Sequence, residues 1–292
     1  MWTQIEAHIS RLTGEKFQSQ QRRSVSGGCI NQASALIGDR RTYFVKLNQA
    51  SSVAMFEAEA LGLKQMLETQ TIRVPTPICW GIAGDSAYIV LEWLELGGSA
   101  SNQSWEEMGR QLAAMHKAIP PVGKGGFGWK QNNTIGSTPQ INNWTENWGE
   151  FFAEYRIGYQ LQLARRPGGN FPQQDRLLTD IPKLLGNQPQ SSLVHGDLWG
   201  GNAAFTKSGE PVIFDPATYV GDREVDIAMT ELFGGFPSDF YRGYNEIYPL
   251  DAGYKHRKNL YNLYHILNHF NLFGGGYGSQ ANRMIEQILG DL

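Results

Sequence analysis

Hydrophobic residues recur with two different periods in the first third of the chain. Residues 41–47 (RTYFVKL) predict a strand, and the polar turn at residues 38–40 would close a hairpin with residues 31–37. Residues 52–67 instead carry apolar side chains at steps of three and four, which predicts an amphipathic helix with one buried stripe. Residues 87–91 (AYIVL) predict a further strand. The segment therefore predicts a small antiparallel sheet with one helix.

The rest of the chain shows mainly helical periodicity. Residues 95–102 (ELGGSASN) are small and polar, which indicates a flexible connection between two lobes. Beyond it, Ser104 and Glu107 have the spacing of a capping box. The buried face behind this cap consists of Trp105, Met108, Leu112 and Met115. Long helices are predicted at residues 144–163 and 254–273.

The predicted architecture is α+β and bilobal. Residues 1–95 would form a small N-terminal antiparallel-sheet lobe with one key helix, and residues 96–292 would form a larger, mostly helical C-terminal lobe. Two short apolar runs interrupt the helical lobe, at residues 192–194 and 212–214. Each run leads into a motif that contains an aspartate, so these two positions are the first candidates for chemistry.

Composition excludes several classes of partner. The 25 basic and 28 acidic residues nearly balance, so we expect no nucleic-acid partner. No run of about 18 apolar residues is present and the first residues lack the apolar core of a signal peptide, so we expect no membrane association. Two cysteines, Cys29 and Cys79, cannot form a disulfide framework. These features predict a soluble cytoplasmic protein.

The two aspartate motifs have the spacing of a phosphotransfer site. His195-x-Asp197-x-x-x-x-Asn202 matches the kinase catalytic loop, in which the aspartate accepts the proton of the attacking hydroxyl and the asparagine holds magnesium. Asp215 ends the second apolar run, where the other magnesium ligand of such enzymes belongs. A turn whose aspartate merely caps a backbone is the alternative. Since positioning and charge neutralisation supply most of this catalysis, Asp197 needs no raised pKa.

A lysine for the α- and β-phosphates of ATP is expected upstream. Lys46 ends residues 43–46 (YFVK), which match the strand lysine of kinases, although such a lysine taken alone is more often only solvated. Its usual partner is a glutamate on the following helix, and both Glu57 and Glu59 flank the apolar stripe there. Glu59 is favoured because it lies nearer the centre of that stripe.

Two further segments are candidates for nucleotide contacts. Residues 26–31 (SGGCIN) lie where a phosphate-covering loop would be, with a tight hairpin turn as the alternative. The candidate contacts in this loop are Gly27, Gly28 and Cys29. Just before the connector, a second segment is placed to present backbone carbonyl and amide groups to an adenine. Its residues are Glu92, Trp93 and Leu94.

These motifs resemble those of the aminoglycoside phosphotransferase-like kinases, and among them the fructosamine kinase (ketosamine-3-kinase) family. The most specific likeness is in residues 195–202 (HGDLWGGN), whose tryptophan and paired glycines are usually lacking in generic members. Similar stretches run nearly from end to end, at residues 27–31, 44–46, 55–59, 74–77, 126–129, 142–152, 231–236 and 261–268. The resemblance implies a protein-kinase-like fold.

The resemblance also implies an activity that depends on ATP and Mg²⁺. The acceptor would be the 3-hydroxyl group of ketosamines, either small molecules or glycated protein amines, and the unstable 3-phosphate would release the amine and so repair glycation. Asp197 would be the base, with Asn202 and Asp215 as metal ligands. Trp199 would stack on the sugar or the amine, with buried packing as the alternative. Cys29 resembles a cysteine used for redox-linked dimerisation, with inert burial as its alternative; we expect a monomer.

Several alternatives remain open. An aminoglycoside, choline, homoserine or thioribose kinase would keep the fold and change the acceptor, and a non-catalytic nucleotide-binding protein would require a missing catalytic group. His265 and His269 have the spacing of a zinc-binding pair but lack a third ligand, so we expect packing or hydrogen-bonding roles. Of Asp222 and Asp226, we expect Asp226 to brace the catalytic loop by hydrogen bonds.

Overall fold

Five antiparallel strands form the sheet of the N-terminal region. The computed structural model describes residues 1–25, 30–118, 126–186 and 188–290. The strands of the sheet are β1 (Gln21–Val25), β2 (Gln32–Ile37), β3 (Thr42–Gln49), β4 (Pro77–Ala83) and β5 (Ser86–Glu92). They lie in the order β1-β2-β3-β5-β4. The predicted hairpin is confirmed, because β2 pairs with β3 and the Gly38 amide donates to the Arg41 carbonyl oxygen at 2.9 Å.

The two faces of this sheet are covered by different helices. Helix α1 (Trp2–Thr13) packs two buried isoleucines against one face, and α2 (Val53–Glu68) packs its predicted apolar stripe against the other. Successive side chains of a strand point to opposite faces, so Val45 faces α1 whereas Lys46 faces α2. The hydrophobic period predicted α2, but α1 buries too few residues to have been recognised.

Helices and short strand pairs build the rest of the chain. The helices are α3 (Asn102–Lys117), α4 (Trp148–Phe152), α5 (Tyr159–Ala164), α6 (Gln174–Leu184), α7 (Glu224–Leu232), α8 (Ser238–Ile247), α9 (Tyr254–Phe273) and α10 (Tyr277–Gly290). The strands are β6 (Asn133–Ile135), β7 (Thr138–Gln140), β8 (Ser191–Val194), β9 (Ala203–Phe205), β10 (Pro211–Ile213) and β11 (Tyr219–Asp222). They form three antiparallel pairs: β6–β7, β8–β11 and β9–β10. The α+β prediction is confirmed, and α9 has its predicted bounds.

The predicted start of α3 was wrong by about one turn. The helix begins at Asn102, and the Ser101 hydroxyl caps it by accepting a hydrogen bond from the Ser104 amide at 3.0 Å. In the predicted capping box, the side chain of Glu107 would accept a hydrogen bond from the Ser104 amide. In the structure Ser101 accepts that bond instead. The buried face behind the cap is as predicted.

The helix predicted at residues 144–163 also begins later than expected. Asn147 accepts a hydrogen bond from the Glu150 amide at 3.0 Å, so α4 starts only at Trp148. A π-helical turn, Ala153–Gly158, then joins α4 to α5. Such a turn adds one residue to the usual repeat and leaves no distinct signal in the hydrophobic period.

The connector between the predicted lobes is held against β9 rather than left free. The Gly97 amide donates to the Phe205 carbonyl oxygen at 3.1 Å, and Leu96 forms an isolated bridge with Thr206. At Gly98 a β-carbon would lie 1.9 Å from the Thr206 carbonyl oxygen, so only glycine permits this approach. One hydrophobic core continues from the inner face of α2 into the helical region. A lobe boundary near residue 95 stays a prediction.

The helices were also compared with the thickness of a bilayer. Spanning one requires about 20 predominantly apolar residues in a helix. Among the helices of the described ranges, none is long and apolar enough to cross a membrane.

Candidate active site

The predicted catalytic loop is the turn that follows β8. The Ala217 amide donates to the His195 carbonyl oxygen at 2.9 Å, which extends the pairing of β8 with β11. Gly196 then turns the chain with a φ of +82°, and a β-carbon there would lie 2.2 Å from the Ala217 carbonyl oxygen. Only glycine satisfies both conditions. The turn places Asp197 on the wall of a cavity.

Asp226, near the start of α7, holds the backbone of this loop. Its Oδ2 accepts a hydrogen bond from the His195 amide at 2.7 Å, and its Oδ1 accepts one from the Gly196 amide at 2.8 Å. His116 on α3 contacts the same carboxylate through Nε2 at 3.0 Å. Burial by itself would raise the pKa of Asp226, but His116 and the Gly196 amide hold it below its ordinary value. The predicted brace is confirmed, whereas Asp222 binds a buried tyrosine hydroxyl of α9.

Asn202 and Asp215 lie beside Asp197. The Asn202 Nδ2 donates to the Asp197 carbonyl oxygen at 2.8 Å and to its Oδ2 at 3.3 Å. The Phe214 amide donates to the Asn202 carbonyl oxygen at 3.0 Å, which ties the residue before Asp215 to the loop. Asp215 has a φ of +57°, a left-handed conformation that residues other than glycine seldom adopt. Such conformations cluster at functional sites, where the surrounding structure enforces them.

Lys46 lies between two carboxylates. Its Nζ contacts the Glu59 Oε1 at 2.7 Å and also the Asp215 Oδ1. Burial opposes the charged form, but Asp215 and Glu59 together raise the pKa of Lys46 above its ordinary value, so the ammonium stays charged. Glu57 is exposed on the outer side of α2. Of the two candidate glutamates, the fold therefore brings Glu59 to Lys46.

The Asp197 carboxyl group is half-buried among its neighbours. Burial and the charge of Asp215 raise the pKa of Asp197 to about 7, although the hydrogen bond from Asn202 acts in the opposite direction. The expected chemistry does not require this raised pKa, and the surroundings of Asp197 supply it all the same. A carboxylate with a pKa near the working pH is well suited to accept a proton.

A cavity of about 420 Å³ brings these side chains together. The predicted site residues on its wall are Lys46, Glu59, Asp197, Asn202 and Asp215. Toward the N-terminal sheet the wall continues with Ile30, Asn31, Ala33, Phe44 and Met55. Away from the sheet it continues with β6 and the following Gly136, then with Trp199, Phe233 and the second half of α9. The cavity therefore has a sheet half and a helical half, with the charged groups between them.

The predicted nucleotide contacts differ in their placement. Three of them lie outside the described residues: Gly27, Gly28 and Cys29. The Glu92 carboxylate pairs with Arg73 and accepts a hydrogen bond from the Thr76 amide at 3.1 Å, so its side chain is engaged within the protein. Trp93 lies beside Phe44 of the cavity wall, with ring centroids 6.5 Å apart. As far as the described part of the wall shows, the three residues before the connector do not belong to it.

The helical half contains side chains whose position the sequence did not reveal. His265 and His269, for which we expected packing or hydrogen-bonding roles, line the cavity together with Asn268. The three share one face of α9, as spacings of three and four require. Trp199 is 40% exposed and meets Phe233 edge to face, with centroids 6.4 Å apart, so it is not a core residue. The i, i+4 spacing of the two histidines is compatible both with burial in a core and with a position on a cavity wall. Only the folded structure shows that they line the cavity.

The oxygen atoms beside Asp197 match the preference of magnesium. The Asn202 Nδ2 is engaged with Asp197, which leaves the Asn202 Oδ1 as a lone-pair donor. One carboxylate oxygen of Asp215 binds Lys46, and the other has no hydrogen-bond partner among the described residues. Magnesium takes one or two oxygen ligands from protein and the others from phosphates and water. The residues present therefore fit this ion.

Relatives of the chain match it along nearly its whole length. The fructosamine kinase family model matches residues 1–291. A protein of Synechocystis sp. named a probable ketoamine kinase is 59% identical, covering 99% of this chain and 97% of its own length. The chloroplastic protein-ribulosamine 3-kinase of Arabidopsis thaliana is 48% identical, covering 91% of this chain and 82% of its own. A crystal structure described as a fructosamine-3-kinase from Haemophilus somnus superimposes with a TM-score of 0.92 at 32% identity, covering 99% and 98% of the two chains.

Proposed function

The chain belongs to the fructosamine kinase family, and we propose that it transfers the γ-phosphoryl group of ATP to the 3-hydroxyl group of a ketosamine. The observation that carries this proposal is the meeting of Lys46, Asp197, Asn202 and Asp215 around one cavity, in a chain that matches the family from end to end. The protein-kinase-like fold expected from the resemblance is confirmed. Kinases of aminoglycosides, choline, homoserine or thioribose are not favoured.

Asp197 acts as the catalytic base in this proposal. It takes the proton of the 3-hydroxyl group while the oxygen of that group forms a bond to the γ-phosphorus and the bond from phosphorus to the bridging oxygen of ADP breaks. A pKa of about 7 leaves a large share of the carboxylate in the accepting form at neutral pH. The products are ADP and a ketosamine 3-phosphate. That phosphate is unstable and releases the amine, so the reaction removes a sugar from a glycated amine.

Lys46 holds the α- and β-phosphates of ATP, and Glu59 orients it. The 2.7 Å contact between these two side chains supports the assignment. Backbone groups of Glu92, Trp93 and Leu94 meet the adenine. The loop that contains Gly27, Gly28 and Cys29 covers the phosphates. These last two assignments rest on the position of the segments along the chain.

Asn202 and Asp215 would hold Mg²⁺. A bound ion would supply positive charge against the charge that develops on the phosphates. The support comes from the two oxygen donors beside Asp197 and from the left-handed backbone at Asp215, which turns its carboxylate toward Lys46 and the cavity. Trp199 lines the acceptor side and contacts the substrate.

Ketosamine turnover tests the proposal directly. ATP consumption is measured with ribulosamine-lysine and fructosamine-lysine, and with choline and an aminoglycoside as comparison acceptors. We expect turnover of at least one ketosamine, and Asp197→Asn should lower kcat by about 10²- to 10⁴-fold while ATP with Mg²⁺ still raises the melting temperature. Turnover of a comparison acceptor with none of either ketosamine would refute the proposed acceptor.

We further propose that the protein works as a monomer and that Cys29 can link two copies under oxidising conditions. The other cysteine, Cys79, is buried, and burial raises the pKa of its thiol to about 12, so it is a matched inert control. Size-exclusion chromatography after mild oxidation should show a dimer that Cys29→Ser abolishes and Cys79→Ser retains. A dimer that survives in Cys29→Ser would contradict the assignment.

A further inference from the structure

The helical half of the cavity ends in four aromatic side chains, which we name the aromatic rim: Trp199, Phe233, Phe273 and Tyr277. His269 lies among them, with ring centroids 4.8 Å from Phe233, 5.6 Å from Phe273 and 5.2 Å from Tyr277. The arrangement follows from the end of α9, because Phe273 is one turn after His269 and α10 starts at Tyr277. The rim therefore joins three helices and the catalytic loop at one opening.

Two members of the rim are unusually exposed for large apolar side chains. Phe273 is 62% exposed and Trp199 is 40% exposed, although both line the cavity. Exposed apolar surface that continues into a cavity indicates a ligand that covers it. Trp199 is two residues after Asp197 and lines the same cavity, so the rim and the Asp197 carboxyl group face one ligand space.

The hydrogen bonds of His269 determine its tautomer. Nδ1 lies 2.8 Å from the His265 carbonyl oxygen, which can only accept, so Nδ1 carries the proton. In the neutral ring Nε2 is then an acceptor, and no group of the described residues donates to it. Burial and His269 lower the pKa of His265, one turn earlier, to about 3, so the His265 ring is neutral at pH 7. In its neutral form His269 thus presents Nε2 as a hydrogen-bond acceptor in the helical half.

The charges around the cavity favour a cation in this half. Among the described wall residues the permanently charged cation is Lys46, and Glu59 and Asp215 already neutralise it. Asp197 adds a further carboxyl group between the two halves. A protonated amine is attracted both by aromatic faces and by an uncharged acceptor nitrogen. An anionic or purely apolar ligand would leave Nε2 of His269 without a donor.

We infer that His269 and the aromatic rim form a binding subsite for the protonated secondary amine of the ketosamine and for the first carbons of its alkyl arm. The amine N–H donates to Nε2 of His269, and the arm lies along Trp199 and Phe273. This inference rests on the proposed function, since it places the sugar 3-hydroxyl group at Asp197. It makes His269 a specificity-determining residue that distinguishes an amine-linked sugar from an oxygen-linked one.

The test compares two ligands that differ in one atom. One is a ketosamine formed from n-butylamine, and the other is its ether analogue, with oxygen in place of the amine nitrogen. Dissociation constants are measured by calorimetry with a non-hydrolysable ATP analogue and Mg²⁺ present. The wild-type protein should bind the amine about 10- to 100-fold more tightly, as one hydrogen bond to a charged group provides.

His269→Phe keeps a ring among the aromatic side chains and removes the acceptor nitrogen. The ratio of the two dissociation constants should fall to about 3 or less, because neither ligand can then donate to this position. His256→Phe is the matched control, since His256 is exposed near the start of the same helix, and it should keep the wild-type ratio. A loss of affinity that affects both ligands equally leaves the ratio of their dissociation constants unchanged. Thermal melting verifies that each variant is folded.

The rim itself is tested by the length of the alkyl arm. Phe273→Ser should reduce the gain in affinity from the methylamine to the butylamine ketosamine by about 3- to 10-fold, because the arm loses an apolar face. Ile82→Ser is the control. Ile82 is 55% exposed in β4 of the N-terminal sheet and does not line the cavity, so this variant should leave the gain unchanged.

Each outcome decides the inference. Equal binding of amine and ether by the wild-type protein, or an unchanged ratio in His269→Phe, would overturn the subsite. The proposed function fails separately, when the wild-type protein phosphorylates no ketosamine in the turnover assay. Because the binding ratio is measured without turnover, the two failures are distinguishable.

Discussion

At the scale of single residues, the site depends on a buried balance of charge. Lys46 and Glu59 have side chains that are 8% and 10% exposed, and Asp215 contacts the same ammonium from the other side. If the buried Lys46 ammonium loses one carboxylate partner, part of its positive charge is no longer neutralised. A neutral group therefore cannot replace Glu59 or Asp215 without a cost. The ion pair therefore sets where Lys46 stands before any nucleotide is bound.

Replacing Glu59 with glutamine should separate this role from general stability. Glu59→Gln keeps the size of the side chain but removes the charge, so Lys46 would turn toward Asp215 and meet the phosphates less well. We expect kcat/KM for ATP to fall by about 10- to 100-fold. Steady-state kinetics with varied ATP give the answer. Glu57→Gln, on the exposed side of the same helix, is the control and should stay within about twofold of wild type, so equal losses in both variants would speak against the assignment.

Residues within fixed-spacing motifs could be predicted, whereas those brought in by folding could not. Asp197, Asn202 and Asp215 follow short apolar runs at offsets that phosphotransfer requires, so the sequence alone indicates them. His116 supports Asp226 from α3, and no local pattern distinguishes it from any other buried histidine. Its contribution arises only because α3 packs near the catalytic loop. The same holds for His269, which reaches the cavity from a helix far along the chain.

At the scale of elements, the catalytic loop depends on the tight turn between β8 and Asp197. Gly196→Ala would place a β-carbon 2.2 Å from the Ala217 carbonyl oxygen at a φ of +82°. We expect the free energy of unfolding to fall by about 2–4 kcal/mol, since both the left-handed conformation and the clash are penalised. Urea unfolding measures it. Gly200→Ala, where no atom lies within 4 Å of an added β-carbon, should change the value by less than about 1 kcal/mol.

Equal stability of Gly196→Ala and Gly200→Ala would contradict the prediction, because the turn at residue 196 would then accommodate a β-carbon without a clash. Activity provides a second readout. A displaced Asp197 should lower kcat in Gly196→Ala even at temperatures where the variant is fully folded.

Long periodic elements were predictable, and short or interrupted ones were not. α2 buries one stripe, α9 is buried on all sides over residues 260–268, and the predicted bounds of both agree closely with the structure. β6, β9 and β10 have three residues each, too few for a period of two to be recognised. Their pairing is decided by tertiary contacts. The π-helical turn between α4 and α5 also left no trace in the sequence pattern, for it changes the repeat only locally.

At the scale of the whole molecule, the order of elements predicted the bilobal α+β architecture but not how its layers are covered. The single predicted helix of the N-terminal region covers one face of the sheet, and the unpredicted α1 covers the other. A core shared between α2 and the helical region joins the two parts. Several ionisable groups are enclosed by this packing, among them His265, so folding and proton binding are coupled across the molecule.

His265 makes that coupling measurable. Burial and the neighbouring His269 and Arg156 lower its pKa from the ordinary 6.5 to about 3, although Asp226 acts in the opposite direction. Between these values the unfolded chain binds a proton that the folded protein does not, so the free energy of unfolding should decrease as pH falls below 6.5, by up to about 1.4 kcal/mol per unit. Asn at position 265 does not titrate. The wild-type advantage over His265→Asn should therefore shrink by about 2 kcal/mol between pH 7.5 and pH 5.

Urea unfolding of both proteins across that pH range gives the difference directly. Other groups that titrate there, such as Asp222, whose pKa burial and Glu224 raise to about 7, are present in both proteins and cancel. His256→Asn, at an exposed histidine of the same helix, should run parallel to wild type. Parallel curves for His265→Asn as well would mean that the folded protein admits a proton at this position. In that case the helical half of the cavity would carry positive charge in mild acid, and its preference for a protonated amine would weaken as the pH falls.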